Sequence, residues 1–376
     1  MMHIALISTS YPVTQDGSEA AGAFVADFAK ALARQVKVSV IAPSLESGYE
    51  QISENLSIYR FAVPSLPLSL LKPSNPLAWP ALSKTLIAGQ GAVNKLVENQ
   101  AVDHIFALWA LPSGYWAWRV SKQQGIPYST WALGSDIWSL GKIPLIKQLL
   151  QKVLRDSQAN FADGYLLKDD VEHLSKRPCS FLPSTRHLDL PELPALKTAP
   201  PYVLAFLGRW HPNKGIDLLL ESLQLLSEDD WEKIAEVRIA GGGPLHDLVH
   251  KSCAKLQEQG RPIILKGYLD KAAAIEWFVN ADYVLIPSRI ESIPVVFSDA
   301  MKCQCPVICM PVGDLPRLVD TYQVGCFATK VSTQSYVQTV KMTLAKSPKQ
   351  FLTGLSQAQE AFSVEQSVKE FLLKIN

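Results

Sequence analysis

The feature that most constrains the fold is an alternation of short apolar runs with longer segments of helical periodicity, present in both halves of the chain. The short runs are the predicted strands, at residues 4–7, 36–42, 105–108 and 128–132, then 202–207, 237–240, 263–265, 283–286 and 307–309. Such alternation is typical of parallel sheets that have helices on both faces. We therefore predict an α/β chain with two doubly wound, Rossmann-like sheets.

Prolines mark where the two predicted domains separate. Between residues 183 and 201 they occur at Pro183, Pro191, Pro194, Pro200 and Pro201. Dense prolines continue neither a helix nor a central strand, so we place an amino-terminal domain at 1–190, a linker at 191–201 and a carboxyl-terminal domain at 202–355. We expect residues 356–376 to form a helix that crosses back to the first domain, opened by a capping box at Ser363 and Gln366. Other prolines between residues 62 and 83 predict a long loop.

Composition excludes several classes of protein. The chain has 36 Lys and Arg against 35 Asp and Glu, a net charge of +1 and no basic run, which excludes a nucleic-acid binder. The apolar stretch 105–118 is interrupted by Pro112 and Gly114, and it is shorter than the roughly 20 residues that span a bilayer. The first apolar run predicts a strand rather than a leader, so we expect a cytoplasmic protein. Six cysteines without paired spacings predict packed thiols rather than a disulfide framework or a metal site.

A cationic loop follows the first strand of the second half. Gly208 and Arg209 come directly after residues 202–207, and Lys214 and Gly215 precede the next helix. In open α/β sheets, ligands bind beyond the carboxyl ends of the strands, close to helix amino termini. A guanidinium and an ammonium on one such loop suit a diphosphate. The alternative is a solvated loop with incidental charges, and the loop by itself does not decide between them.

Two further loops of the second half carry candidate binding residues. Gly241, Gly242 and Gly243 follow the next strand, where glycines allow the backbone to approach a ligand closely. Glu291 lies just before a helix that carries Asp299 in its second turn, so both carboxylates can face one crevice. Carboxylates accept hydrogen bonds from the vicinal hydroxyls of a sugar or a ribose. The alternative for this pair is a capping acid and a surface acid.

Taken in order, these motifs resemble the retaining GT-B glycosyltransferases of family 4, also called group 1. The resemblance is carried by Gly-Arg…Lys-Gly at 208–215, Gly-Gly-Gly-Pro at 241–244, and Ala281-Asp282 to Pro306-Val307 around Glu291. The first half contributes Gly22-Ala23-Phe24-Val25, the stretch 109–114 and Gly134-Ser135-Asp136. The resemblance covers nearly the whole chain and implies a GT-B architecture, in which two Rossmann-like domains face each other across a cleft.

The resemblance also implies roles for individual residues. Arg209 and Lys214 match the residues that hold the donor diphosphate, and Glu291 matches the acid beside the donor sugar. Asp299 matches the acid that binds the ribose, and Tyr268 lies where the family contacts the base. We expect the catalytic set to be Glu291, Arg209, Lys214 and Asp136. The expected donor-binding set is Gly22, Gly208, Arg209, Lys214, Gly243, Tyr268, Glu291, Ile293, Pro294, Val295 and Asp299.

Three positions depart from the family pattern. Asp299 replaces a second Glu that is one methylene longer, and Gln304 stands where the family commonly has Gly. Leu133 replaces the His that normally approaches the donor sugar. We expect Asp136, or a polar group from residues 16–19, to take the place of that imidazole.

One predicted helix could contact either a membrane surface or the rest of its own domain. Residues 142–157 place leucines, an isoleucine and a valine on one face and Lys147, Lys152 and Arg155 elsewhere. A basic amphipathic helix of this kind either lies on an anionic membrane surface or packs on the amino-terminal sheet. The expected partners are a nucleotide-sugar donor, a glycan or lipid-linked acceptor, and the inner face of a membrane.

The predicted function is the transfer of a sugar from a nucleotide diphosphate donor, UDP or GDP, to an acceptor hydroxyl with retention of configuration. A polysaccharide or lipopolysaccharide intermediate is the expected acceptor. By resemblance neither a cofactor nor a metal ion is needed, because Arg209, Lys214 and a helix amino terminus supply positive charge. Two alternatives stay open at this point, a nonhydrolysing nucleotide-sugar epimerase and a non-catalytic subunit that binds a nucleotide sugar.

Overall fold

The computed structural model describes residues 1–12, 20–68, 71 and 75–376. The chain divides into two compact units, each with its own core. Unit 1 comprises Met1–His187 and Val364–Asn376, and unit 2 comprises Leu188–Ser363. The first division falls close to the predicted 190/191 boundary, and the second falls later than the predicted 355/356 boundary.

Unit 1 is built on a single, almost entirely parallel sheet. Within the described residues its eight strands follow the order β3-β4-β2-β1-β5-β6-β7-β8, and β3 pairs antiparallel with β4. The strands are β1 (His3–Ile7), β2 (Lys37–Ser44), β3 (Gly48–Ser53), β4 (Leu56–Ala62), β5 (His104–Leu108), β6 (Tyr128–Ala132), β7 (Ala159–Ala162) and β8 (Cys179–Phe181). Every residue of β1, β5 and β6 is buried, as expected for parallel strands with both faces covered.

Helices cover both faces of this sheet. They are α1 (Ala20–Leu32), α2 (Trp79–Asn99), α3 (Ser113–Gln124), α4 (Ser135–Trp138), α5 (Pro144–Asp156), α6 (Tyr165–Ser175) and, from the end of the chain, α15 (Val364–Ile375). One core joins α1 and α15 to the sheet, with the Phe371 ring stacked on Phe106 at a centroid distance of 4.0 Å. The other core holds buried residues of α2, α3, α5 and α6.

Unit 2 contains a fully parallel sheet. Among the described residues its six strands follow the order β11-β10-β9-β12-β13-β14, which is the 3-2-1-4-5-6 order of a doubly wound fold. The strands are β9 (Tyr202–Arg209), β10 (Ile234–Gly242), β11 (Ile263–Lys266), β12 (Tyr283–Ile286), β13 (Val307–Cys309) and β14 (Gly325–Phe327). The helices are α7 (Ile216–Gln224), α8 (Glu228–Trp231), α9 (His246–Glu258), α10 (Lys271–Val279), α11 (Val295–Lys302), α12 (Leu315–Tyr322), α13 (Thr333–Leu344) and α14 (Leu352–Ala361).

The predicted α/β class with two doubly wound sheets is confirmed. The prediction of a long loop over 62–83 is wrong from Trp79 onward, where α2 begins. Pro80 occupies the first turn of α2, where the missing N–H has no intrahelical acceptor and costs nothing. In the described part of the chain, no helix is both long enough and apolar enough to span a bilayer.

Candidate functional site

The predicted donor residues of unit 2 collect at the carboxyl ends of β9 and β12. These strands are neighbours in the sheet, with Tyr283 paired to Leu204, and the chain winds outward in opposite directions from them. The point between them is therefore the topological switch point, where open α/β sheets bind ligands. The loop after β9 carries Lys214 and the loop after β12 carries Glu291.

The loop after β9 is a short turn that presents two cations. Arg209 ends the strand and is exposed, and it forms no ion pair with a described residue. A 3-10 turn over Pro212–Lys214 follows, capped by His211, whose Nδ1 accepts a hydrogen bond from the N–H of Asn213 at 3.2 Å. Gly215, with a φ of 69°, is the N-cap of α7.

Lys214 and Glu291 meet in the structure although 77 residues separate them in the sequence. Lys214 Nζ donates a hydrogen bond to Glu291 Oε1, and Ser288 Oγ donates to the same oxygen at 3.0 Å. The Lys214 side chain is 38% exposed and the Glu291 side chain 11%. A ligand can therefore reach the ammonium, while the carboxylate is held in position by two donors.

A second ion pair fixes the same two loops to each other. Arg289 donates two hydrogen bonds to Asp217, at 2.8 and 2.9 Å, and a third to the carbonyl oxygen of Pro212 at 2.7 Å. The N–H of Arg289 also donates to the carbonyl oxygen of Asn213 at 2.8 Å. Four hydrogen bonds thus set the distance between the loop that carries Lys214 and the loop that carries Glu291.

The helix that follows Glu291 offers backbone donors to a ligand. Pro294 is the N-cap of α11, and no side chain of the described residues caps that end of the helix. Of the three residues predicted here, Ile293 and Val295 carry an N–H and Pro294 does not. Asp299 lies one turn further along α11 and is only 2% exposed, so it sits below the surface of the loop.

The glycine turn after β10 packs tightly against its neighbours. A Cβ on Gly243, whose φ is 149°, would lie 2.7 Å from the carbonyl oxygen of Trp210, and Gly242 lies against the ring of Tyr268. Gly208 lies beside the ring of Phe206. Gly243 therefore excludes a side chain, because the atom that a Cβ would meet belongs to the backbone. The Tyr268 ring is 76% exposed and is accessible to a planar ligand.

The site residues predicted in unit 1 lie at the carboxyl ends of β1 and β6. Gly22 in α1 faces the backbone of Tyr11 and Pro12, where a Cβ would have neighbours at 3.1 Å. Asp136 in α4 is 1% exposed and accepts hydrogen bonds from the N–H of Ala110 at 2.6 Å and from the N–H of Leu133 at 3.2 Å. Burial raises the pKa of Asp136 to about 6. Its carboxylate therefore ties two loops of unit 1 together.

Residues 16–19, predicted as a substitute for the missing imidazole, lie outside the described residues. Leu133 itself packs against the unit 1 core. The described residues contain no group of three or more His, Cys, Asp or Glu placed to hold a metal ion. All six cysteines, each within the described ranges, are free thiols.

Sequence reasoning missed residues that support Glu291. Ser288 lies within the motif from Ala281 to Val307. Its hydroxyl group, three residues before Glu291, was a local sign that it could bind the acid. Gly313 had no local signal, because it belongs to a loop that follows the next strand, β13. Its φ is 54°, and a Cβ there would overlap the carbonyl oxygens of Glu291 and Ser292.

The known protein family that matches this chain matches it within unit 2. The family described as glycosyl transferases group 1 matches residues 201–346. A D-inositol 3-phosphate glycosyltransferase of Jonesia denitrificans is 29% identical over 151 residues, which are 38% of this chain and 34% of that protein. A putative teichuronic acid biosynthesis glycosyltransferase, TuaC of Bacillus subtilis, is 25% identical over 236 residues, 59% of this chain and 56% of TuaC. The chain thus spans about a third and about half of the lengths of these relatives.

A comparison of structures covers the whole chain. Anabaena HepE, solved in complex with UDP and glucose, superposes with a TM-score of 0.66 at 15% identity, over 100% of this chain and 99% of HepE. At that identity the likeness establishes the fold, which is the GT-B fold predicted from the sequence motifs. Residues 201–346 match the family of group 1 glycosyl transferases, within a chain of the GT-B fold.

Proposed function

We propose that this protein transfers a sugar from a nucleotide diphosphate donor to an acceptor hydroxyl with retention of configuration. The observation that carries the proposal is the meeting of Lys214 and Glu291 at the switch point of a group 1 domain. Unit 2 then holds the donor and unit 1 the acceptor. UDP and GDP are the proposed nucleotides, and the complex of HepE with UDP and glucose supports a nucleotide-sugar donor.

In this proposal the cations act on the leaving group. Arg209 and Lys214 bind the diphosphate oxygens, and the uncapped N–H groups at the start of α11 add backbone donors. Negative charge grows on the diphosphate as the glycosidic bond breaks, so donors fixed in advance stabilise the transition state more than the ground state. The residues themselves supply the positive charge that a metal ion supplies elsewhere.

The acids and the aromatic ring are proposed to position the rest of the donor. Glu291, already fixed by Ser288, faces the sugar and its phosphate. Tyr268 stacks with the base. The ribose role proposed for Asp299 requires that its carboxylate, which is buried in the structure, become accessible when the donor binds. In unit 1, Gly22 gives the donor access to the backbone, and Asp136 holds its two loops for the reaction.

The proposed acceptor is a glycan or a lipid-linked glycan of polysaccharide or lipopolysaccharide assembly. The name of TuaC, a putative teichuronic acid biosynthesis glycosyltransferase, supports a role in glycan synthesis. Free thiols and a nucleotide-sugar donor favour a cytoplasmic location. The exposed basic face of α5 supports peripheral contact with the inner face of a membrane.

The donor site is tested by binding before any acceptor is known. UDP, GDP and ADP, and then their sugar forms, are screened by thermal shift, because a ligand that binds only the folded state raises its stability. Calorimetry then compares Arg209→Ala and Lys214→Ala with Lys255→Ala, which removes an exposed lysine of α9.

We expect each of the two site variants to weaken binding by about 1.5 to 3 kcal/mol, the value of a hydrogen bond to a charged group. Lys255→Ala is expected to bind like the native protein. Unchanged affinity in both site variants would overturn the donor site. Conversion of a nucleotide sugar without an acceptor and without nucleotide release would replace transfer with epimerisation.

A further inference from the structure

Two histidines of unit 2 lie side by side on the surface of α9. His246 is the first residue of the helix and His250 follows one turn later, so the i, i+4 spacing places both side chains on the same face. Their ring centroids are 4.1 Å apart, and both residues are exposed. Neither of them belongs to the donor-binding set of the proposed function.

The ring of Trp210 packs against both imidazoles. Its centroid is 5.9 Å from that of His246 and 5.7 Å from that of His250. Trp210 is only 1% exposed, its backbone N–H donates to the carbonyl oxygen of Gly242, and its carbonyl oxygen accepts from the N–H of Leu245. The indole ring is thus fixed in position, and it covers one side of the histidine pair while the other side faces solvent.

The nitrogen atoms of the pair are largely available to a ligand. In His246, Nδ1 lies 3.0 Å from Oδ1 of Asp247. When Nδ1 donates its proton to that carboxylate, Nε2 presents a lone pair, and a carboxylate orients many metal-binding histidines in this way. The imidazole of His250 has no hydrogen-bond partner among the residues that the structure describes.

We propose that His246 and His250 together bind a divalent transition-metal ion of the Zn²⁺ class, through one nitrogen each. Imidazole is a preferred ligand of these ions, and two histidines four residues apart on a helix can hold one ion between them. At metal–nitrogen distances of about 2.0 to 2.1 Å, the centroids of two imidazoles on a tetrahedral ion are about 5 Å apart. The two exposed rings therefore need to open by only about 1 Å.

The charges near the pair limit the affinity of such a site. The histidines lie in the first two turns of α9, where the helix dipole disfavours a cation, and Lys251 follows His250. The Asp247 carboxylate offsets part of this positive potential. With two protein ligands and water in the other positions, the site is expected to bind more weakly than a closed structural site of four ligands. It does not rest on the proposed function, and the ion has no part in the proposed transfer.

A packing role for the histidines makes a different prediction. If they only cover the Trp210 ring, replacing either one lowers the unfolding free energy equally with and without metal. A metal site makes the stability of the native protein depend on the ion, because a ligand that binds only the folded state raises that stability. Each variant is therefore unfolded by heat both in Zn²⁺ and in EDTA.

The experiment is a calorimetric titration of the full chain with Zn²⁺, after purification without a polyhistidine tag and removal of bound metal. His246→Ala and His250→Ala are compared with His173→Ala, which removes a single exposed histidine of α6. We expect about one ion per chain, bound about 10²-fold more weakly by each site variant, because a chelating pair becomes a single ligand. His173→Ala is expected to change the affinity by less than about twofold.

Two further measurements separate a site from diffuse attraction. Asp247→Asn keeps both imidazoles but removes the orienting charge, and we expect it to weaken Zn²⁺ binding about tenfold. Mg²⁺, which prefers oxygen ligands, is expected to give no heat of binding. Titration of the native protein with Mg²⁺ therefore serves as the control for the ion.

Several outcomes would overturn the inference. Equal Zn²⁺ affinity in the native protein and His250→Ala would exclude the pair as the site, and equal losses in His173→Ala would indicate binding to any exposed histidine. Stability that does not respond to Zn²⁺ would leave the histidines their packing role alone. Nucleotide binding by the site variants in EDTA is expected to equal that of the native protein, so a failed metal site and a failed donor site are distinguishable.

Discussion

The sheets of the two units have a similar strand order, but the loops at the carboxyl ends of their strands are stabilised differently. In each, the chain winds outward in both directions from the first strand of the unit. In unit 2 the acid at this edge, Glu291, is bound by side chains of two loops, Lys214 and Ser288. In unit 1 the acid at the edge, Asp136, is bound by backbone N–H groups and is closed off from water.

A ligand can therefore replace the contact of Lys214 with Glu291, but it cannot replace the buried contacts of Asp136. The Lys214 ammonium is partly exposed, so phosphate oxygens can compete with Glu291 for it. If Asp136 is replaced, the buried N–H of Ala110 has no other acceptor among the described residues, and an unpaired buried donor costs about 1 to 3 kcal/mol. We therefore expect changes at Glu291 to alter chemistry and changes at Asp136 to alter stability.

The largest expected effect is the pH dependence contributed by Asp136. Its pKa is about 6 in the folded protein, against 3.8 for the unperturbed group. Between these values the folded state keeps a proton that the unfolded state has released, so the unfolding free energy falls as the pH rises. The shift corresponds to about 3 kcal/mol, present below about pH 4 and lost as the pH rises through about 6.

Asp136→Asn removes this titration while keeping an acceptor oxygen. The unfolding free energy of the native protein minus that of Asp136→Asn, from urea titrations, is expected to fall by about 3 kcal/mol between about pH 3 and about pH 7. Asp169→Asn, at an exposed acid of α6, serves as the control and is expected to show no such trend. Parallel curves for the native protein and Asp136→Asn would show that Asp136 is not a buried titrating group.

The next effect is at Glu291. Glu291→Gln keeps a hydrogen-bond acceptor for Ser288 but removes the charge, so we expect sugar transfer from the donor to fall about 10²-fold while nucleotide affinity changes by less than about threefold. Release of nucleoside diphosphate from the donor and calorimetry measure the two quantities. Glu276→Gln, at an exposed acid of α10, is the control. Equal losses of transfer and affinity would assign Glu291 a role in binding alone.

The sequence was most informative where one local pattern determined one element. The buried strands of unit 2 were predicted because parallel strands are continuous apolar runs, as Tyr283–Ile286 shows. β3 escaped prediction because all six of its residues, Gly48–Ser53, are exposed and largely polar. Its existence depends on pairing with β4, which no local pattern records.

The same limit applies to the site. The motifs around Lys214 and Glu291 could be found one at a time, and their order suggested a common ligand. Neither the bond between them nor the bridge from Arg289 to Asp217 has a local signature, because 77 and 72 residues separate the partners. The complete burial of Asp136 likewise depends on surrounding elements, and sequence alone assigned it a catalytic role.

A smaller effect tests how closely the loops of unit 2 approach each other. A Cβ on Gly215 would overlap the carbonyl oxygen of Pro287, whereas Gly260 has a similar φ of 76° with no atom near the same position. The two glycines therefore share the backbone strain of a substitution and differ only in the contact. We expect Gly215→Ala to lower the unfolding free energy by about 2 kcal/mol more than Gly260→Ala. If urea unfolding showed equal losses of unfolding free energy in the two variants, the loops after β9 and β12 would be able to move apart without cost.

The smallest expected effect is the coupling between Arg289 and Asp217. Their side chains are 35% and 25% exposed, so solvent screens a pair whose geometry is nevertheless bidentate. A double-mutant cycle with Arg289→Ala and Asp217→Ala is expected to give a coupling free energy of about 1 kcal/mol, which decreases in high salt. The Asp136 effect is expected to persist in the same salt, because water and ions do not reach that carboxyl group. If salt left the coupling free energy of Arg289 and Asp217 unchanged, this ion pair of unit 2 would be shielded from solvent as the Asp136 carboxyl group of unit 1 is.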